Sequence, residues 1–312
     1  MAAERPLLLA RYRLSGGLFD RVAERCDVRF TDGPVLARSD AESLARAWCI
    51  WTFGETVDAA LLERMPALRC VVNFGVGVDG IDRDLLAARG IRFVWPVGAN
   101  AEAVADHAIG LVLAVRHRIA ENDRLVRAGA WEADGYLPLP SADVHGARIG
   151  IVGLGAIGRA FARRARGFDA ELAYATPRRL DPALEAGLGI RHLDLDELLG
   201  WADIVSLHCP LTDETRGLID ARRIGLLRAD AVLVNTARGG VVDQEALIAA
   251  LAAGRLGGAG LDVFADEPHV PEALRALANV VLTPHVADAT PGAEAALVAH
   301  CAAEVLALLD RG

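Results

Sequence analysis

The sequence predicts an α/β fold of two Rossmann-like or flavodoxin-like domains, each built on a parallel sheet. Three observations carry this. The chain has 312 residues, more than a single hydrophobic core usually serves. Short apolar runs alternate with helix-length segments, and the alternation restarts near Arg148; strands separated by helices give parallel sheets with right-handed crossovers. A glycine-rich turn, Gly153-Leu154-Gly155-Ala156-Ile157-Gly158, stands where a strand passes into a helix.

Residues 7–10 and 28–30 read as strands around a helix at 18–25. Apolar runs at 47–50 and 69–73 flank a helical stretch at 57–64. Asp82 suits the N-cap of a helix reaching residue 89, and 91–95 reads as the next strand. Residues 101–118 are apolar over a full helix length and amphipathic only at the ends, the pattern of a helix buried between domains. A second helix reaches Arg127, and 135–140 is a loop. From Arg148 the pattern is cleaner, with strands at 148–152, 172–175, 204–207, 231–235, 258–263 and 280–282. Helices fall at 156–166, 194–199, 220–227 and 243–253, and an Ala-rich amphipathic helix occupies 290–309.

Hydrophobic residues make up 53% and charged residues 24%, a globular rather than a disordered composition. The formal net charge of −9 argues against nucleic acid or an anionic membrane as partner. An acidic substrate would therefore need a local cation. The five cysteines are scattered, with no CxxC or Cys/His cluster, so a reduced cytoplasmic setting without zinc or disulfides is expected. The N-terminal residues lack a signal-peptide pattern. The most intensely apolar run, Ala108 to Val115, is too short to span a bilayer.

The glycine-rich turn has the strand–turn–helix context that dinucleotide binding requires. The first glycine, Gly153, permits the tight turn. Gly155 lets a pyrophosphate approach the backbone at Ala156 and Ile157, and Gly158 lets helix and strand pack closely. The phosphates then meet unpaired N–H groups at a positive helix end. The next strand ends in Thr176-Pro177-Arg178-Arg179, with no carboxylate before Asp181. An acidic residue there would accept from the ribose of NAD, whereas arginines beside a hydroxyl suit a 2′-phosphate. NADP(H) is the preferred cofactor on this reading, with NAD(H) the alternative.

Three polar residues each follow a strand-like run: Arg238, Glu267 and His285. Carboxyl ends of parallel strands are where open α/β sheets bind ligands, so the three are expected to converge. A 2-oxo acid needs its carboxylate held and its carbonyl oxygen stabilised as hydride arrives. Arginine grips a carboxylate with two donors and polarises the carbonyl. Histidine hands a proton to the forming alkoxide, and a glutamate behind it orients the ring and favours the protonated form. Taken singly, an Arg after a strand is also a common surface ion-pair residue, and a His after Pro a common loop residue.

The glycine turn, Asn235-Thr236-Ala237-Arg238-Gly239-Gly240, Gly260-Leu261-Asp262-Val263-Phe264 with Glu267-Pro268, and Pro284-His285 together resemble the D-isomer-specific 2-hydroxyacid dehydrogenases. Their NADPH-dependent glyoxylate/hydroxypyruvate reductase branch is the nearest in look. The similarity runs over nearly the whole chain and takes in Asn73-Phe74-Gly75-Val76-Gly77-Val78-Asp79, Val104-Ala105-Asp106-His107 and His208-Cys209-Pro210-Leu211-Thr212. It implies that Arg238 binds substrate, His285 is the acid/base and Glu267 its partner. It implies that backbone N–H groups of Val76 and Gly77 also hold the substrate carboxylate. Asp262 would lie near the nicotinamide carboxamide and Cys209-Pro210 near the adenine, with Thr176, Thr215, Thr236 and Ala237 also on the cofactor. The resemblance further implies a discontinuous substrate domain, 1–101 with 287–312, into which a dinucleotide domain, 102–286, is inserted. Substrate would bind in the cleft. A homodimer joined through the dinucleotide domains is implied as well, and the 135–140 loop, with Tyr136 and Leu137, reads equally as an arm to a partner's active site or as a plain surface loop.

The sequence departs from the family pattern at Pro177, where NADP-type members usually carry Arg, at Trp95 and at Asp288. Two other readings stay open on sequence: an NAD-linked dehydrogenase of a phosphorylated acid, and a dinucleotide-sensing interaction protein on the same scaffold.

Overall fold

A computed structural model describes residues 5–14, 17–75, 77–78, 80–134 and 141–311. It divides into two compact units, Met1–Asn100 with Thr290–Gly312, and Ala101–Ala289.

In the first unit the strands are β1 (Leu7–Ala10), β2 (Asp27–Phe30), β3 (Ala47–Thr52), β4 (Cys70–Asn73) and β5 (Arg92–Val94), in the order β2-β1-β3-β4-β5 and all parallel. This is the flavodoxin-like order. The central strands β1 and β4 are buried throughout, as expected of a parallel sheet covered on both faces. Their apolar runs are continuous for that reason and show no period of two. Aspartates start the helices: the side chains of Asp40, Asp58 and Asp82 accept from the N–H groups of Ser43, Leu61 and Leu85, and each such cap is worth about 1 kcal/mol.

One face of this sheet is covered by the helix Pro291–Leu309. Its residues Val298, Cys301, Val305 and Leu306 join Phe19, Val22 and Trp51 in one buried cluster. This helix is long and apolar enough to cross a membrane, with mean hydropathy 1.6, a feature that the sequence reading, fixed on residues 108–115, passed over. Here the apolar face serves the core of the first unit.

The second unit carries β6 (Arg148–Val152), β7 (Glu171–Ala175), β8 (Ile190–His192), β9 (Ile204–Leu207), β10 (Val232–Asn235), β11 (Gly258–Leu261) and β12 (Val280–Leu282). Their order is β12-β11-β10-β9-β6-β7-β8, again all parallel. Chain order reverses at β6, between β7 and β9. Such a switch point opens a crevice at the carboxyl ends of the strands. The helix Ala101–Arg116 packs on the helix Ala156–Ala165 and on β10, β11 and β12. It ends two residues earlier than its apolar pattern suggested, because Arg118 adopts a left-handed backbone, φ 53°.

Several elements escaped the sequence reading. Strand β8 and the helix Pro182–Leu188 precede the 194–199 segment, and the short helices Val35–Arg38, Ala41–Arg46, Ala130–Asp134 and Glu272–Arg275 are further additions. The loop 135–140 lies outside the described residues, as does Val76.

Candidate active site

The turn after β6 is shaped by two close approaches. Gly153 has φ 90°, and a Cβ there would stand 2.7 Å from the backbone nitrogen of Cys209. A Cβ on Gly158 would stand 2.2 Å from the carbonyl oxygen of Gly153. Any side chain at either position would force the turn, the helix Ala156–Ala165 and the end of β9 apart. Gly155 is different, with open space on its Cβ side. It is the N-cap of that helix and offers no side-chain acceptor, so the first N–H groups have no side-chain cap. That is the donor set a pyrophosphate takes.

Two buried polar atoms that follow neighbouring strands of the same sheet fit the same group. Thr236 Oγ1, just past β10, and His208 Nδ1, just past β9, have no hydrogen-bond partner among the described residues. The other ring nitrogen of His208 meets Ser206 Oγ at 2.9 Å. Burial pushes the His208 imidazole down to about 3, which favours the neutral ring. Cys209 is buried and Pro210 exposed. Thr215 ties this loop, its hydroxyl donating to the carbonyl of Pro210 at 2.6 Å and accepting from the N–H of Thr212 at 2.7 Å.

After β7 the chain turns through Thr176, whose hydroxyl donates to the carbonyl of Arg178 at 2.6 Å. The two arginines then part company. Arg179 donates from Nε and Nη2 to the two carboxylate oxygens of Glu185, at 2.9 and 2.8 Å. Tyr174 donates to the same carboxylate at 2.6 Å. The Arg179 guanidinium, with the Tyr174 hydroxyl, holds the Glu185 carboxyl down to about 2. Arg178 is exposed and has no ion pair among the described residues.

The three polar residues of the C-terminal third follow three adjacent strands of one sheet, β10, β11 and β12. Arg238 ends the turn after β10, its Nη1 donating to the carbonyl of Ala237 at 2.7 Å. The turn is clamped by Asn235, nearly fully buried, which accepts from the N–H of Ala237 and donates to the carbonyl of Arg238, both at 3.0 Å. His285 Nδ1 lies 2.7 Å from Glu267 Oε2. The other oxygen, Oε1, accepts from the backbone N–H of Phe264 at 3.0 Å. The carboxylate is thus fixed from below, Nδ1 is the nitrogen that carries hydrogen toward it, and Nε2 is left for a reacting group. His285 has a left-handed backbone, φ 54°, a conformation that a non-glycine residue keeps only where its surroundings dictate it.

What dictates it is Asp262. This residue is wholly buried. Its Oδ1 accepts from the N–H of Val286 at 3.0 Å and from the hydroxyl of Thr283 at 2.6 Å, and Oδ2 accepts from the N–H of Ala287 at 2.9 Å. Its carbonyl accepts from the N–H of His285 at 2.8 Å. The Asp262 carboxylate thus ties down the loop that bears His285. Asp288, one of the departures, is half-buried.

In the first unit, Asn73 at the end of β4 donates to the carbonyls of Gly75 and Gly77, at 2.8 and 2.7 Å. It clamps the loop expected to hold a carboxylate, as Asn235 clamps its own. Trp95 stacks on Phe93, centroids 4.9 Å apart, with the guanidinium of Arg83 over its ring at 4.7 Å. The residues that sequence reasoning left without a role are therefore Asn73, Asn235, His107 and Thr283. Asn73, Asn235 and His107 stand in motifs that carry the family resemblance and Thr283 just before one, but nothing in the sequence names the backbone groups or side chains each one holds.

Residues 109–287 match the family described as D-isomer specific 2-hydroxyacid dehydrogenase, NAD binding domain. A glyoxylate reductase of Thermococcus litoralis is 43% identical over 240 residues, 76% of this chain and 72% of that one. A D-3-phosphoglycerate dehydrogenase of Mycobacterium leprae is 36% identical over 294 residues, 93% of this chain but 54% of the relative, so this chain spans about half its length. Among solved structures, an NADPH-dependent glyoxylate/hydroxypyruvate reductase of Sinorhizobium meliloti, in complex with NADP and malonate, has a TM-score of 0.88 at 33% identity, over 98% of this chain and 94% of that one. Two parallel-sheet units, a glycine turn at a switch point and these likenesses have one meaning: the chain belongs to the D-isomer-specific 2-hydroxyacid dehydrogenases, NAD(P)-dependent oxidoreductases.

Proposed function

We propose that the protein reduces a small 2-oxo acid of the glyoxylate or hydroxypyruvate kind to the D-2-hydroxy acid, with NADPH as the preferred reductant. The observation that carries the reading is the His285–Glu267 pair, 2.7 Å apart, on the same sheet edge as the clamped Arg238 turn.

On this reading 101–289 is the dinucleotide unit, and 1–100 with 290–312 holds the substrate through the Gly75–Gly77 loop. A nicotinamide held by this unit would supply the hydride that the substrate carbonyl carbon takes up. Arg238 holds the substrate carboxylate and stabilises the charge growing on the carbonyl oxygen, a contact that strengthens toward the transition state. His285 delivers a proton from Nε2 to that oxygen, and Glu267 stabilises the imidazolium before transfer. The turn at Gly153–Gly158 and the unpartnered Thr236 hydroxyl receive the cofactor, and Arg178 takes the 2′-phosphate.

The test is a matched absorbance assay with NADPH or NADH and a panel from glyoxylate and hydroxypyruvate to phenylpyruvate and 3-phosphohydroxypyruvate. Faster NADPH oxidation with the small unphosphorylated acids is expected. Preference for the phosphorylated acid with NADH would favour the phosphoglycerate-type reading, and binding of both cofactors with no turnover would favour a sensor.

The same reading takes the protein as a cytoplasmic homodimer. Its five cysteines are buried and free. Ile119, Val126 and Trp131 are more than half exposed on consecutive helices, Ile119–Arg127 and Ala130–Asp134. They adjoin in sequence a cavity of about 250 Å³ lined by Val115, Arg118, Ala142 and Val281. Light scattering giving the mass of one chain would remove the dimer.

A further inference from the structure

We infer that His107, acting through Thr283, is a positioning residue for the proton donor. The inference rests on the assignment of His285 as that donor.

The buried Asp262 is an anion with no exposed surface, and such a charge persists only when its oxygens are satisfied. Two of its three side-chain bonds come from backbone N–H groups of Val286 and Ala287. The third comes from the Thr283 hydroxyl at 2.6 Å. A hydroxyl has one proton, and here it points to Asp262. The Thr283 oxygen must therefore accept from its other neighbour, His107 Nε2, at 2.9 Å. This assigns the hydrogen of His107 to Nε2. The same nitrogen stands 3.5 Å from Asp262 Oδ1, so the imidazole also faces the buried charge directly.

The result is a chain of donors, His107 to Thr283 to Asp262, running from the helix Ala101–Arg116 into the loop that carries His285. Asp262 holds that loop at both ends of the strained residue: its carbonyl takes the His285 N–H and its carboxylate takes the next two N–H groups. Removing the outermost donor leaves the Thr283 hydroxyl free to turn away from Asp262. The loop then loses part of what fixes the left-handed backbone of His285, and with it the aim of Nε2. None of these changes touches the Arg238 turn or the glycine turn, so ground-state binding is preserved.

The experiment compares His107→Ala, Thr283→Val, Thr283→Ser and the His107→Ala/Thr283→Val pair, with His285→Ala measured alongside. Each of the first two is expected to lower kcat roughly ten- to a hundredfold, the scale of a small misplacement of a reacting group. KM for the 2-oxo acid and the Kd for NADPH should stay within about twofold, since only the transition-state contact is loosened. Thr283→Ser should behave as wild type. The double variant should lose no more than the worse single one, because links of one chain are not additive. Unchanged kcat in His107→Ala, losses carried by KM, or losses that multiply in the pair would each overturn the inference. His107 is half-buried and its truncation leaves the Thr283 hydroxyl in place, so His107→Ala decides alone if Thr283→Val does not fold. Wild-type turnover in His285→Ala would instead remove the donor assignment itself, leaving His107 nothing to position.

Discussion

Arg179 is bound to Glu185 by two parallel hydrogen bonds, Nε to Oε1 and Nη2 to Oε2, while its neighbour Arg178 has no such partner among the described residues. The pair of arginines that the sequence offers to a 2′-phosphate therefore divides into one anchored and one open. Arg178→Ala is expected to raise KM for NADPH about tenfold or more and to leave KM for NADH nearly unchanged, since a charge-assisted hydrogen bond is worth about 1.5–3 kcal/mol. Arg179→Ala should instead lower Tm and affect both cofactors alike. Steady-state kinetics with each cofactor, beside thermal melts, separates the two; selectivity lost only in the Arg179 variant would reverse the assignment.

Acid should undo the Arg179–Glu185–Tyr174 cluster. The Glu185 carboxyl is held down to about 2 in the folded chain against an ordinary value of 4.5. A depressed carboxyl stabilises the fold at pH above its unfolded value, and that contribution is lost as pH falls from about 4.5 toward 2. Glu185→Gln should therefore melt below wild type at pH 7, and the difference should narrow as pH falls below about 4.5 and close only toward pH 2. A gap that persists undiminished at pH 3 would mean that the carboxylate charge contributes nothing.

His285→Ala should cut reductive turnover by about two to four orders of magnitude, the usual weight of a positioned acid, with NADPH binding by fluorescence titration retained. Glu267→Gln keeps an acceptor for the Phe264 N–H but removes the charge behind Nδ1. It should be impaired less than His285→Ala. Single-turnover absorbance measurements would show it, and a glutamine variant as slow as the alanine variant would give Glu267 a larger role than orientation.

The thiols should be inert in the folded protein. Burial pushes Cys26 and Cys209 up to about 11 and Cys301 to about 12, and also raises Cys49. The thiolate is the reactive form, so a disulfide reagent at neutral pH should label these cysteines only slowly until denaturant is added. Stoichiometric labelling of the native protein within seconds would contradict the packing around β3 and β4.

Much of the fold was open to sequence reasoning because parallel strands buried on both faces are unbroken apolar runs, as in β1, β4, β6 and β9. Strand β8 was not, since three residues, Ile190-Arg191-His192, display no period. The short helices fail for the same reason. The positions of Arg238, Glu267 and His285 at strand ends were readable from the runs before them. The company they keep was not: His107 and Thr283 are 176 residues apart, and nothing local in either segment announces the other. Arg179 misled in the opposite sense, because a basic residue beside a cofactor turn carries no mark that a glutamate six positions on will take it.

The first compact unit is closed by a helix drawn from 290–312, and this has a consequence for biogenesis. When the first hundred residues emerge during synthesis, the sheet carrying Phe19 and Trp51 lacks the helix Pro291–Leu309 that completes its core. The intervening unit, Ala101–Ala289, is contiguous and can fold as soon as it has left the ribosome. The middle of the chain can therefore fold ahead of the beginning, and until translation reaches Val298 and Val305 the opening segment lacks the residues that complete its buried cluster.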